Sequence, residues 1–388
     1  MFDRLRIVVM GYIVRGPVGG RCWADLHYLL GLANLGHEVY FLEDSDDYHS
    51  CYDPIRNTFD TDPSYGLRFA TQIFERFGLG NRWAYYDAHT THWFGPCADR
   101  IFDICKSAEL LLNLGGVNPI RAWLMDIPVR IFIDKDPVLT QIKIIKDPSR
   151  RDLALQHTAY FTLAENIGLG RWTLPDDRLP WKATRHPIFL DAWPMISEQP
   201  QRNFTTVMRW ESCQSHEYRG INYGMKSDAF SLYLDLPKKA GHIFELAVAG
   251  TADQRALLAS KGWSIIDPVE TLGDPSAYQQ YIQQSKAEFS LAKLGYSISR
   301  CGWFSERGAS YLASGRPVLT QDTGFSEWLE SGQGVIPFNS PEEVLDGIKE
   351  INSRYDHHRR AARAIAEEYF DSNKVLTRLI GDCIAFSS

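Results

Sequence analysis

The residues best suited to chemistry fall in LAKLGYSISRCGWFSERGASYLASGRPVLTQDTGFSEW, positions 291–328. An apolar run ends near Ala292, and a polar stretch carrying Lys293, Ser297, Ser299, Arg300 and Gly302 follows. Trp303, Phe304, Ser305 and Glu306 turn that stretch into a helix. Free amides at such a helix start, with Lys293 or Arg300 nearby, suit a diphosphate. Glu306, one turn in, presents two acceptor oxygens at once, which suits the vicinal hydroxyls of a ribose. Gly19 and Gly20 form a second strand-to-helix turn, equally able to let a ligand approach or simply to turn tightly. Arg209, after the first strand of the second half, and Lys226, in YGMKSDAF at a helix start, are two further cations, each equally readable as an ordinary surface charge.

Acidic candidates lie in the first half. Asp134 and Asp136 follow an apolar strand as D-x-D, a spacing that serves either a divalent metal clamp or a metal-free general base on a hydroxyl. Lys135 between them and Pro137 after them favour the metal-free role, in a loop at a cleft. Glu165, in YFTLAENIG, faces the same kind of opening, with Asn166 beside it and His157 a weaker base. Trp172, Trp181 and Trp193 offer faces on which sugar rings stack. HHRR at 357–360 reads as a solvated helix face, and Cys301 as a packed thiol without a neighbouring base.

These groups need elements to position them. Apolar runs at 6–10, 38–42, 110–114, 129–133 and 159–162 read as strands of a parallel, doubly wound α/β sheet, with helical spacing through Trp23, Leu26, Leu30 and Ala33. Residues 168–203 lapse into Pro-, Arg- and Trp-rich sequence, the mark of a domain junction. Alternation then restarts with strands at 205–208, 244–248, 263–266, 288–291, 317–320 and 334–337. Helices are predicted at 227–233, 254–261, 276–284 and 304–313. Ser340, Pro341 and Glu343 form a capping box, and Leu376, Leu379, Ile380 and Cys383 share one stripe of a last amphipathic helix.

Length and composition bound the answer. The 388 residues, 44% apolar and 23% charged, are ample for two globular domains. A net charge of −7 leaves no general footprint for nucleic acid, so small-molecule ligands and no nucleic-acid partner are expected. Seven scattered cysteines without metal spacing fit a reducing cytoplasm. The opening MFDRLRIVVMGYIVRG reads as a buried strand rather than a signal peptide, and no run is long enough to span a membrane.

The run CGWFSERGASYLASGRPVLTQDTG resembles the donor-binding segment of nucleotide-sugar glycosyltransferases of the two-domain GT-B architecture, similar to glycosyltransferase families 1 and 4. In those enzymes a glycine turn, a helix with a ribose-binding glutamate, a small-residue-Gly-x-Pro-Val step and a buried strand follow in order. The opening VVMGYIVRGPVGGRCWADLHYLLGLANLGHEVYFLED resembles their first strand, glycine loop and helix. The resemblance implies two Rossmann-like domains facing across a cleft: 1–185 on the acceptor side, 186–370 holding the nucleotide-sugar, and 371–388 returning to the first domain. It implies transfer of a sugar from a nucleoside-diphosphate sugar, with UDP or dTDP as the nucleotide, and no permanently bound cofactor. Donor-site residues taken with this resemblance are Gly19, Gly20, Arg209, Lys226, Lys293, Arg300 and Gly302 through Glu306, while Asp134, Asp136 and Glu165, read from residue type and position, are the candidates for catalysis. Two departures leave the stereochemical outcome open. Ile298 stands where many retaining members carry a first glutamate, and IDKDP stands where they often carry a histidine. Two rivals remain: a non-catalytic nucleotide-sugar binder of the same fold, and a nicotinamide-dependent oxidoreductase with Glu43 on a ribose. The glycines do not give the dinucleotide fingerprint.

Overall fold

The computed structural model describes residues 4–54, 56, 58–169, 175–211 and 214–384. Its first sheet is built from β1 (Arg6–Met10) and β2 (Glu38–Asp44), a small hairpin of β3 (Cys51–Asp53) and β4 (Thr58–Asp60) lying apart from it. It continues with β5 (Trp83–Asp87), β6 (His92–Phe94), β7 (Leu110–Leu114), β8 (Val129–Asp134), β9 (Ala159–Thr162) and β10 (Lys182–Ala183). Then come β11 (Phe204–Arg209), a hairpin of β12 (His216–Tyr218) and β13 (Ile221–Tyr223), β14 (Phe244–Ala249) and β15 (Ser264–Ile266). β16 (Ala287–Ser290), β17 (Val318–Gln321) and β18 (Val335–Phe338) complete the second sheet.

The first sheet has the order β10-β9-β8-β7-β1-β2-β5-β6 and the second β15-β14-β11-β16-β17-β18. All pairs are parallel except β5 with β6. Central parallel strands are covered on both faces, which is why Ile7 to Met10 are fully buried and why such strands read as unbroken apolar runs. In each sheet the order reverses beside the first strand, between β1 and β7 and between β11 and β16. Crevices open at such switch points, beyond the carboxyl ends of the strands.

The loop leaving β1 is shaped by a buried carboxylate. Glu43 near the end of β2 accepts the backbone N–H groups of Ile13 and Val14, both at 2.7 Å, and of Arg15 at 2.8 Å. The Arg15 guanidinium lies 3.2 Å from the same carboxylate, and both side chains are all but fully buried. Every lone pair of Glu43 faces the protein itself, which removes the oxidoreductase reading that placed it on a ribose.

The two sheets are joined through helices. The Gly19–Asn34 helix of the first meets the Pro275–Gln284 helix of the second, with Trp23 Nε1 donating to the Pro275 carbonyl at 2.8 Å. Trp193 is fully buried here, its ring centroid 5.1 Å from that of Trp23. Trp181 packs edge-on to Phe132 and donates to Asp177, and Trp172 lies outside the described residues. The Ser372–Ile384 helix returns to the first sheet, burying Leu376, Leu379 and Ile380 against the Gly19–Asn34 helix. Close approach is possible because Gly31 has no side chain: a Cβ there would lie 2.6 Å from Leu376 Cδ1.

Three local expectations are corrected. The stretch after Lys293 is a short helix, Leu294–Ser299, which ends at Arg300 in the left-handed region (φ +51°). The following helix begins at Glu306, two residues later than its apolar spacing implies. HHRR is half buried: His358 is inaccessible and its Nδ1 accepts the Gly334 N–H at 3.1 Å, while Arg359 donates to the Ile196 carbonyl.

Two stability outcomes are expected. Gly31→Val forces the helices apart and costs about 1 to 3 kcal/mol, read as a lower urea midpoint. Glu43→Ala leaves the Arg15 charge and three amides unpaired in the interior and costs about 3 to 5 kcal/mol in the same measurement.

Candidate functional site

The switch point of the first sheet opens into a cavity of about 590 Å³. Its wall is made by residues following β1 (Tyr12, Arg15), β7 (Gly115, Gly116) and β8 (Lys135, Asp136), and by side chains of the flanking helices, Asp25 among them. Asp25 is the residue that sequence reasoning missed. Its Oδ2 accepts the Tyr12 N–H at 2.7 Å and its Oδ1 binds Lys135 Nζ at 2.9 Å, so one carboxylate fixes two sides of the wall. The available signal is a single acid inside the apolar stripe of the first helix.

Of the acids expected to do chemistry, one reaches this cavity. Asp136 lines it, bonded to Lys293 Nζ at 2.6 Å and to the Tyr296 hydroxyl of the second half of the chain. Burial alone would raise its carboxyl, but Lys293 and Tyr296 outweigh that and hold it below the usual range. Asp134 is corrected to a structural anchor. It is inaccessible and accepts from Thr162 Oγ1 at 2.7 Å, Gln141 Nε2 at 3.0 Å and the Asp136 N–H at 2.9 Å. Those bonds leave D-x-D without an open metal clamp. Among the described residues no group of three or more His, Cys, Asp or Glu side chains is placed to hold a metal.

Asp134 also braces a strained turn. Val138 has φ +73°, an outlier for a β-branched residue, and its N–H donates to Gln141 Oε1 at 2.6 Å. Glu165 is ion-paired to Arg185, whose guanidinium stacks on Trp328 at 4.7 Å, so it ties the halves of the chain together away from the cavity. His157 is buried, its pKa pushed down to about 4 by loss of solvent, and its ring packs on Phe132. It is not a base poised for catalysis.

At the second switch point, Arg307 lies across the ends of β11 and β16. It donates to Glu288 at 2.5 Å, to Ser290 Oγ at 2.6 Å and to the Val207 carbonyl at 2.5 Å. Lys226 opens the adjacent Lys226–Phe230 helix and has no hydrogen-bond or ion-pair partner among the described residues. Burial pushes its pKa down to about 7, Arg307 and Lys293 add to the effect, and Glu288 opposes it. Arg209 ends β11 with an exposed side chain. Lys226, Lys293 and Arg307 thus form one electropositive group at a strand-end crevice, and Lys293 connects it through Asp136 to the cavity.

The turn at 300–306 is occupied by the protein's own side chains. Asn166 donates to the carbonyls of Arg300 at 2.9 Å and Gly324 at 3.0 Å, and a Cβ on Gly302 would lie 2.7 Å from it. Arg300 pairs with Glu327 at 2.8 Å, Trp303 packs on Tyr296, and Phe304 stacks on Phe370. Ser305 caps the next helix, its Oγ accepting the Gly308 N–H at 2.8 Å. Glu306 Oε1 faces His27 Nε2 at 3.5 Å and accepts from Ser310 Oγ at 3.1 Å, with the carboxylate 13% exposed. Gly19 and Gly20 serve packing: an added Cβ would lie 2.6 Å from the Asp274 carbonyl and 2.8 Å from the Tyr278 ring, respectively. Cationic groups therefore gather at 226, 293 and 307, of which Lys293 is paired with Asp136 and Arg307 with Glu288, while Lys226 has no such partner among the described residues.

No model of a protein family matches the chain, and no curated protein matches it. Solved structures match over its full length. An alpha-glucosyltransferase in complex with UDP and a 13-mer DNA containing a central A:G mismatch is 12% identical, covering 99% of this chain and 100% of that one, with a TM-score of 0.61. Anabaena HepE, in complex with UDP and glucose, is 10% identical over 98% and 99% of the two chains, with a TM-score of 0.57. AviGT4, a glycosyltransferase involved in avilamycin A biosynthesis, is 11% identical over 98% of each, with a TM-score of 0.53. The expectation that excludes nucleic acid is overturned here. Full-length structural matches include glucosyltransferases in complex with DNA, one containing an abasic site. Net charge is a poor guide because it averages over local groupings such as the cavity, which is lined by five Arg or Lys side chains and two Asp. The chain has the two-sheet GT-B fold of these glycosyltransferases.

Proposed function

We propose that the protein is a glycosyltransferase that moves a sugar from a nucleoside-diphosphate sugar, UDP-linked in the first instance, to an acceptor held in the first-sheet cavity. In this reading residues 1–185 present the acceptor, 186–370 hold the donor, and 371–388 pack back on the first domain. Lys226 is the observation that carries it. A cation with a depressed pKa and no partner, beside Lys293 and Arg307 at a strand-end crevice, is poised for an anion that would restore its charge. The same three cations would stabilise the departing diphosphate in place of a metal ion, and cleft closure would exclude water. Full-length likeness to structures containing UDP supports the choice of nucleotide.

Asp25 and Asp136, the two carboxylates on the cavity wall, are assigned to the acceptor hydroxyl. Glu306 and Arg209 remain candidates for the nucleoside. Six buried free cysteines among the described residues, and the absence there of a helix long and apolar enough to cross a membrane, support a reducing, cytoplasmic setting. A nucleic-acid acceptor is the second reading, favoured by the full-length matches to DNA-bound glucosyltransferases.

Titration with UDP tests the donor site. At about pH 8 Lys226 is largely neutral in the free protein, so diphosphate binding draws a proton from solvent, and affinity falls as pH rises from about 7 to 9. Calorimetry in buffers of different ionisation enthalpy should register that uptake. Lys226→Met should abolish the uptake and weaken UDP by about tenfold or more. Equal affinity in variant and wild type would remove the assignment. Release of UDP from UDP-glucose, absent in a non-catalytic binder, separates enzyme from binding protein.

A further inference from the structure

The first-sheet cavity carries more positive charge than the fold consumes. Arg15, Arg21, Lys135, Lys143 and Arg150 line it, against Asp25 and Asp136. Arg15 is neutralised by Glu43, Lys135 by Asp25 at 2.9 Å, and Asp136 by Lys293 at 2.6 Å. Arg21, Lys143 and Arg150 have no carboxylate within ion-pair distance among the described residues. Two of them are positioned by uncharged aromatic partners on the same wall. The Arg21 guanidinium lies 4.4 Å from the Tyr12 ring centre, and Arg150 lies 6.0 Å from that of Tyr48 while donating to its hydroxyl. Aromatic faces steer a guanidinium without cancelling its charge. Three like charges around a confined cavity repel one another, a cost that an anionic guest would remove.

We propose that the acceptor bears a phosphate group, seated among Arg21, Lys143 and Arg150, with its reactive hydroxyl directed to Asp25 and Asp136. Guanidinium forks match phosphate oxygens bidentately, and Lys143 adds a point charge. A phosphate monoester on a small sugar and a phosphodiester of a nucleic acid present the same oxygens, so either source satisfies the chemistry. The volume, about 590 Å³, accommodates a sugar phosphate or one nucleotide of a strand. The term acceptor rests on the glycosyltransferase reading, whereas the anion site does not.

Calorimetric titration with glucose, glucose 6-phosphate and a short DNA duplex, each against wild type, Arg21→Gln, Lys143→Gln and Arg150→Gln, tests the proposal. UDP affinity is measured alongside, and thermal melting checks that each variant is folded. At least one phosphate-bearing probe should bind where glucose does not, and more weakly as salt rises. Each charge removal should weaken that probe by about tenfold and leave UDP affinity intact. Binding of glucose 6-phosphate assigns a monoester, and binding of the duplex alone assigns a phosphodiester. Phosphate probes no tighter than glucose, or variants indistinguishable from wild type, would overturn the proposal. UDP binding without phosphate binding sinks this inference alone. Phosphate binding without UDP binding sinks the donor assignment and leaves the anion site standing.

Discussion

One buried carboxylate organises the end of the first sheet. Glu43 gathers three consecutive N–H groups and the Arg15 guanidinium, so the chain leaving β1 folds back over β2 instead of running straight into its helix. The cost of desolvating an acid is offset only because every oxygen is bonded. Tyr12, Arg15 and, through the Tyr12 amide, Asp25 take their places from this turn. A second acid does the same work at β8, where Asp134 anchors the turn that presents Lys135 and Asp136. The cavity wall is therefore hung on two acids whose oxygens are bonded within the protein itself.

The two halves meet through polar contacts of long sequence separation. Lys293 and Tyr296 reach Asp136, Asn166 enters the 300–324 region, and Glu306 faces His27. The crevice of the second sheet and the cavity consequently share a boundary in which these polar contacts sit beside apolar packing of Val138, Leu139 and Ile142 with Met225 and Tyr296.

Much of the architecture was legible because central parallel strands announce themselves. Residues 6–10, 110–114 and 159–162 are β1, β7 and β9 with the bounds their apolar runs imply, and the Ser340 cap is present with its Oγ accepting the Glu343 N–H. The site was less legible, since residue type does not say where a side chain's partners lie. Asp134 and Asp136 are two positions apart and equal in type, yet one is consumed by Thr162 and Gln141 and the other opens on a cavity. Asn166 and Gly302 meet across 136 positions, which no local pattern encodes. The six-residue Leu294–Ser299 helix, with Gly295 inside it, is too short to show periodicity.

The seating of the Ser372–Ile384 helix against Gly31 has a bearing on biosynthesis. The partner surface for Leu376, Leu379 and Ile380 lies on one of the first elements to be made, so that surface stays open to water until some three hundred and forty further residues have been added. Through that interval the nascent first lobe offers an oily groove to chaperones, or to other copies of itself. Completion of that lobe thus waits on the Ser372–Ile384 helix, and the rate of translation governs how long the groove stays exposed.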